Sequence, residues 1–269
     1  MGDASRLAKG RQWHTADVGW RRWARAATSQ KLRNKWLCGR FRAGFTLVEI
    51  LVTTVMMLVL ASAGLLTART AIERARETQC MSNLRNIGAA LHLYAADHGG
   101  SFPDTSHTAA LDQSWIKSLE SYLGDFDEAR VCPADPRRDE RIAAGGTSYL
   151  LNSFLFVPEV NAWGEIEGRA LNRPSAIPDP ARTLLIFTCA DRVGTGPGND
   201  HTHSNLWTSW RGVCADITPG RFGGGSGPLA AKGRANYLFA DNRVESIPAA
   251  EIKRKTNSGI NIATPPGIP

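Results

Sequence analysis

The sequence predicts an α+β chain in which one long N-terminal helix leads into a head domain built on an antiparallel sheet. Three observations predict it. An unbroken apolar run, FTLVEILVTTVMMLVLASAGLL, extends from Phe45 to Leu66. A helical apolar stripe follows it, with no proline between Phe45 and Pro103. Beyond that proline, short apolar segments alternate with glycine- and proline-rich loops, which is the pattern of strands.

Residues 1–44 read as a basic leader. They hold eleven Lys and Arg against Asp3 and Asp17, a net of +9, so the rest of the chain carries −2 of the total of +7. The basic character therefore belongs to the leader. No basic patch with interleaved aromatics follows Phe45, which argues against a nucleic-acid partner. Arg21 and Arg22 lie some twenty residues before the apolar run and read as leader charge rather than as a twin-arginine signal.

Residues 45–66 are long enough to cross a bilayer as a helix, which takes about 20 residues. The basic flank stays cytoplasmic by the positive-inside rule, so the chain after the run lies on the far side of the membrane. An ordinary signal anchor has the same features. Three residues narrow the reading. Gly44 precedes the apolar run, whereas a secretory signal carries its small-residue cleavage site after it. Phe45 opens the run. Glu49 is its one charge, and a carboxylate at membrane depth costs on the order of 2.5–3.5 kcal/mol unless it is partnered. A cut after Gly44 creates an amine on Phe45 one turn away, able to pair with Glu49 of a neighbouring helix and fix the register between subunits.

GFTLVEILVTTVMMLVLA resembles the N-terminal cleavage and methylation motif of type IV prepilins and type II secretion pseudopilins. The resemblance implies that prepilin peptidase cuts between Gly44 and Phe45, that Phe45 is N-methylated, and that Glu49 is the assembly carboxylate. It implies a pilin-like fold and a structural subunit of a secretion pseudopilus or type IV pilus-like filament. The partners are then other pilin or pseudopilin subunits through the N-terminal helix, the inner-membrane assembly platform and the membrane itself. The expected location is the inner membrane, single-pass, with a cytoplasmic N-terminus and a periplasmic head. Two features depart from the family pattern: the leader is long, and the late helix proline of many members is missing.

The stripe Leu84, Ile87, Gly88, Leu91, Tyr94 and Ala95 continues the helix as an amphipathic segment over residues 67–100, with Arg76, Glu77, Asn83, Arg85 and His92 on the opposite side. Cys80 falls on the apolar side. Gly99, Gly100 and Pro103 stop it. A helix from Phe45 to His98 spans about 80 Å at 1.5 Å per residue. Residues 101–269 form the head.

Of the five cysteines, Cys38 is in the leader and Cys80, Cys132, Cys189 and Cys214 are beyond the membrane. An even number in an exported chain favours disulfides over buried thiols, with three connectivities open. The run CMSNLRNIGAALHLYAADHGGSFPD, then Trp115, Leu119, Tyr122-Leu123 and Val131-Cys132-Pro133-Ala134-Asp135, is similar to a pseudopilin-like group of planctomycetes and verrucomicrobia. In that group a helix cysteine precedes a CPxD segment. The resemblance implies a Cys80–Cys132 bond, worth about 4 kcal/mol for a loop of about fifty residues, and leaves Cys189 for Cys214.

Strands are expected at Ser148–Phe156, Thr183–Phe187, Tyr237–Ala240 and Val244–Ile247, the last two around an Asp241-Asn242 turn that lacks the favoured glycine. The group's His and Asp-Gly-His motif near this hairpin is replaced: Asp241 is kept, but Ala231, Asn242 and Arg243 stand at the other positions. Its histidine chemistry is not expected here. The glycine-rich stretches Gly194–Gly198 and Gly220–Gly227 lack the context of a phosphate loop.

Asp200-His201-Thr202-His203 is the one metal-like cluster. It suits zinc if a third group joins it, and a polar surface loop is the simpler reading. No cofactor is expected; a calcium site near Asp191 and Asp200, as in some secretion pseudopilins, is not selected by spacing. Neither a nucleophile elbow nor a catalytic-cysteine signature occurs, so no enzymatic activity is expected. Trp163, Trp207 and Trp210 read as core or loop anchors. The alternative to a filament subunit is a periplasmic binding or metal-dependent hydrolytic domain on a pilin-type anchor, which calls for a deep pocket lined by those tryptophans or by His201 and His203.

Overall fold

The computed structural model describes residues 44–106, 114–158, 163, 171–224, 227 and 229–268. The basic leader up to residue 43, and Cys38 with it, lies outside them. The chain divides into two compact units between Thr54 and Val55. Each is described by itself.

In the first unit the chain enters helix α1 (Leu47–Asp97) through a capping box. Thr46 Oγ1 accepts from the Glu49 amide at 3.2 Å, and Glu49 Oε2 accepts from both the Thr46 amide and its hydroxyl at 2.8 Å. Two N–H groups that a helix start leaves without intrahelical partners are thereby satisfied.

Among the described residues, the second unit carries the rest of α1 and, apart from three 3-10 turns, ten further helices and strands. They are α2 (Trp115–Ser118), α3 (Phe126–Ala129), α4 (Arg138–Ala144), β1 (Tyr149–Leu151), α5 (Ser153–Phe156), β2 (Leu184–Thr188), α6 (Trp210–Asp216), β3 (Arg234–Phe239), β4 (Val244–Pro248) and α7 (Ala249–Asn257). The strands form one antiparallel sheet in the order β1-β2-β3-β4.

The sheet separates two apolar clusters, and the twofold period of the strands explains which residue goes where. Tyr149 and Leu151 of β1 and Leu238 of β3 join Cys80, Leu84, Ile87 and Leu91 of α1. Leu150, Tyr237 and Phe239 point the other way and join Trp207, which lies just before α6, Trp210 and Val213 of α6, and Ile252 of α7. In β2 the alternation breaks: Leu185 and Ile186 both belong to the α1 side. The register of β2 on β3 shifts between Leu184 and Ile186, so a bulge places two successive side chains on one face.

The predicted stripe of α1 is buried from Leu84 to Ala95, with Tyr94 half-buried. Glu77 and Asn83 are corrections, because both are buried on the packed side. The Arg234 guanidinium grips Glu77 with two bonds, 2.5 Å to Oε1 and 2.7 Å to Oε2, while Ser246 donates to Oε1 at 3.0 Å. These bonds hold the Glu77 carboxyl below the ordinary range despite its partial burial. Asn83 Nδ2 donates to the carbonyls of Glu128 and Val131. Both polar residues thus bind backbone or strand groups that arrive from far along the chain.

The strand expected over Ser148–Phe156 stops at Leu151. There Asn152 Oδ1 accepts from the Phe154 amide at 3.1 Å and turns the chain into α5. The β3–β4 turn works without glycine because Asn242 takes a left-handed conformation, φ +68°. Helix α1 ends as expected, with Gly99 and Gly100 left-handed and the Gly100 amide bonded to the Ala95 carbonyl at 2.7 Å.

Candidate functional site

Two regions bear on function, one in each unit. Around the predicted cleavage site, Gly44 and Phe45 precede the capping box, and Phe45 is exposed. Glu49 is not a carboxylate waiting for any donor; it already holds Thr46. The described side chains from Leu47 to Leu65 are exposed throughout, including Leu51, Val55, Leu58 and Leu60. Exposed apolar surface of this extent marks a membrane or protein contact. Helix α1 is long and apolar enough to cross a membrane.

In the head, the four described cysteines are buried and carry free thiols. The pair implied by the resemblance is nevertheless brought together. The two thiols act on each other, which lowers the Cys80 pKa and holds that of Cys132 well above its ordinary value. Tyr149 Oη also donates to Cys80 Sγ, at 3.6 Å. Cys189 and Cys214 share the opposite cluster but have separate surroundings. Cys189 donates to Asp135 Oδ2 at 3.8 Å, whereas the Cys214 carbonyl accepts from Arg192 at 2.8 Å. Burial pushes the Cys189 thiol up to about 12 and the Cys214 thiol up to about 11, values of inert thiols at neutral pH.

Asp135, the last residue of the CPxD segment, anchors a buried network that sequence reasoning left without a role. Its Oδ2 accepts from Arg141 Nε and Ser148 Oγ, both at 2.7 Å, and its Oδ1 accepts from the Arg137 amide at 2.9 Å. Burial opposes the charge, but the Ser148 bond and the Arg141 guanidinium outweigh it and hold the carboxyl below the usual range. Arg141 also donates to the carbonyls of Gly194 at 2.7 Å and Val193 at 3.2 Å, with longer bonds to those of Thr147 and Ala190. The CPxD segment and α4 thereby fix the loop that walls a polar pocket of the head.

That pocket has a volume of about 520 Å³ and is lined by Ser106, Val193, Gly194, Asn199, His201, His203 and Asp216, among others. His201 and Asp200 are buried, with Nδ1 to Oδ1 at 2.7 Å. Asp200 also accepts from the Ser106 amide and hydroxyl, each at 2.9 Å. Residues 200–202 are no surface loop: the Leu151 amide bonds the Asp200 carbonyl, and the Thr202 amide bonds the Leu151 carbonyl. Nearby Asp191 goes to Arg221 at 2.7 Å, so it and Asp200 serve different partners. Among the described residues, no group of three or more His, Cys, Asp or Glu is placed to hold a metal ion.

The tryptophans do not form a shared platform. Trp207 and Trp210 are buried, with their indole N–H groups on Asp216 Oδ2 at 2.8 Å and the Leu229 carbonyl at 2.9 Å, while Trp163 is exposed. Trp115 is the fully buried one, and its indole N–H donates to the Asp200 carbonyl at 2.9 Å.

A family model described as "Protein of unknown function (DUF1559)" matches residues 69–125. That family is associated with prepilin-like proteins. Neither the comparison with curated proteins nor that with solved structures gives a match.

Proposed function

We propose that this chain is a filament subunit of the prepilin type, without a reaction of its own. Prepilin peptidase cuts it after Gly44, Phe45 is methylated, and the N-terminal helix assembles with other subunits into a secretion pseudopilus or pilus-like filament. The observation that carries the reading is the motif from Gly44 to Glu49 at the N-terminal edge of an apolar helix whose described side chains are all exposed through Leu65. A surface of this extent marks a membrane or protein contact, which suits a helix that assembles with other subunits in or out of the bilayer.

The capping box adds a step to this reading. Both Thr46 bonds fall on Glu49 Oε2. We assign Oε1 to the methylated amine of a neighbouring Phe45, so a subunit waiting in the membrane keeps its carboxylate satisfied before assembly. A Gly44→Val chain co-expressed with prepilin peptidase tests the processing step. The reading expects full-length protein from the variant and a shortened one from the parent; equal processing of both overturns it.

One observation favours a second reading, a binding domain carried on a pilin-type anchor. The pocket beside His201 and His203 falls in the size range of small-ligand sites, about 300–1,000 Å³. The two readings are compatible in one chain.

A further inference from the structure

His201 and His203 line one cavity with ring centres 5.3 Å apart. Each ring has a carboxylate on its Nδ1 side. Asp200 Oδ1 is 2.7 Å from His201 Nδ1, and Asp216 Oδ1 is 3.7 Å from His203 Nδ1. The carboxylates are themselves held: Asp200 by Ser106, and Asp216 by the His203 amide at 2.7 Å and the Trp207 indole at 2.8 Å. The Asp200 carboxylate on His201 Nδ1 fixes the tautomer that bears a lone pair on Nε2, the arrangement that supports imidazole as a metal ligand, while Asp216 lies near His203 Nδ1 but beyond hydrogen-bond reach.

The spacing suits the same purpose. With metal–nitrogen bonds of about 2.0–2.1 Å and a tetrahedral angle, two bound imidazoles have ring centres about 5.2 Å apart. The local charge does too, since two carboxylates face the pair. Arg192, the cation on the cavity wall, donates to the Cys214 carbonyl at 2.8 Å. With no third protein ligand of this kind among the described residues, water or a donor atom of a guest molecule must complete the shell. The cavity supplies the room, and Ser106 and Asn199 supply polar groups at its wall.

We propose that His201 and His203 form an open two-imidazole site for a divalent transition cation of the zinc class, bound through Nε2. Imidazole donors select zinc and copper over calcium and magnesium, which prefer oxygen. The inference does not depend on filament assembly.

The test uses the full chain in detergent, stripped with a chelator and then titrated with zinc or, for spectroscopy, copper(II). Zinc is expected to raise the melting temperature, with calcium giving no shift. Electron paramagnetic resonance of the copper form is expected to show two equivalent nitrogen ligands. His203→Ala is the informative variant, because the side chain is 64% exposed and its removal leaves the core intact. It is expected to remove one nitrogen and weaken zinc binding by about tenfold or more. A copper spectrum without imidazole nitrogens, or a zinc response unchanged in His203→Ala, overturns the proposal.

Discussion

Arg141 and Asp135 form an ion pair with both side chains fully buried, Nε to Oδ2 at 2.7 Å. The pair connects the CPxD segment to the loop at Val193 and Gly194, and so to the wall of the His201 pocket. Removing one partner leaves a buried charge, which costs about 3–5 kcal/mol. Arg141→Met is therefore expected to lower stability by that amount in thermal or denaturant unfolding, while a paired replacement of both residues by apolar ones is expected to recover most of the loss.

The same carboxyl sets an acid dependence. Its folded pKa lies below the unfolded value, about 3.9 for Asp. Its contribution is thus fully present above about pH 4 and is lost as pH falls through the folded value. Asp135→Asn is expected to flatten the stability curve below about pH 4 relative to the parent, read by melting temperature against pH. Identical acid limbs would assign the acid loss to other carboxylates.

Gly88 lies where α1 meets the β3–β4 turn. A Cβ built there would stand 2.0 Å from Asn242 Oδ1 and 3.1 Å from Leu238 Cδ1. Overpacking of this kind costs about 1–3 kcal/mol, so Gly88→Ala is expected to destabilise by that much. Asn242 has φ +68°, a conformation glycine adopts freely. The double variant Gly88→Ala/Asn242→Gly is expected to be more stable than Gly88→Ala alone, and a double-mutant cycle reads the coupling.

The cysteine environments predict which thiols oxidise. Cys80 and Cys132 shift each other's pKa, and Cys189 and Cys214 are raised away from reactivity. Mild oxidation of the full chain is expected to join Cys80 to Cys132, adding about 4 kcal/mol of stability, and to leave the other two alkylatable after denaturation. Peptide mapping that finds Cys189 bonded to Cys214 would contradict this.

Glu49→Gln keeps a Thr46 acceptor and removes the charge. Membrane insertion is expected to be unchanged or improved, while filament assembly falls sharply, as measured by sedimentation of sheared filaments. Retained assembly would remove the intersubunit ion pair from the account.

Much of the fold was legible because its signals are local. The apolar run, the Leu84–Ala95 stripe, the glycine stop and three of the four strands follow from periodicity and breakers. Helices α6 and α7 were missed although Glu251 and Lys255 sit at i and i+4 and bond at 3.0 Å. The strand extended past Leu151 because the Asn152 cap was read as part of an apolar run. Glu77 was placed on the wrong side because its partner, Arg234, is 157 residues away. Arg141 carries no local signal of its role either, since its acceptor Gly194 is 53 residues on. Asp200-His201-Thr202-His203 was visible as a motif, but its second carboxylate, Asp216, has no local signature and is brought in by α6.

The measurement closest to the central claim is intact mass spectrometry of the protein extracted from its native membrane. The account predicts a chain that begins at Phe45 and carries one added methyl group. A chain still bearing residues 1–44, or one cut after the apolar run, would contradict it and leave a membrane anchor or a secreted domain in place of a filament subunit.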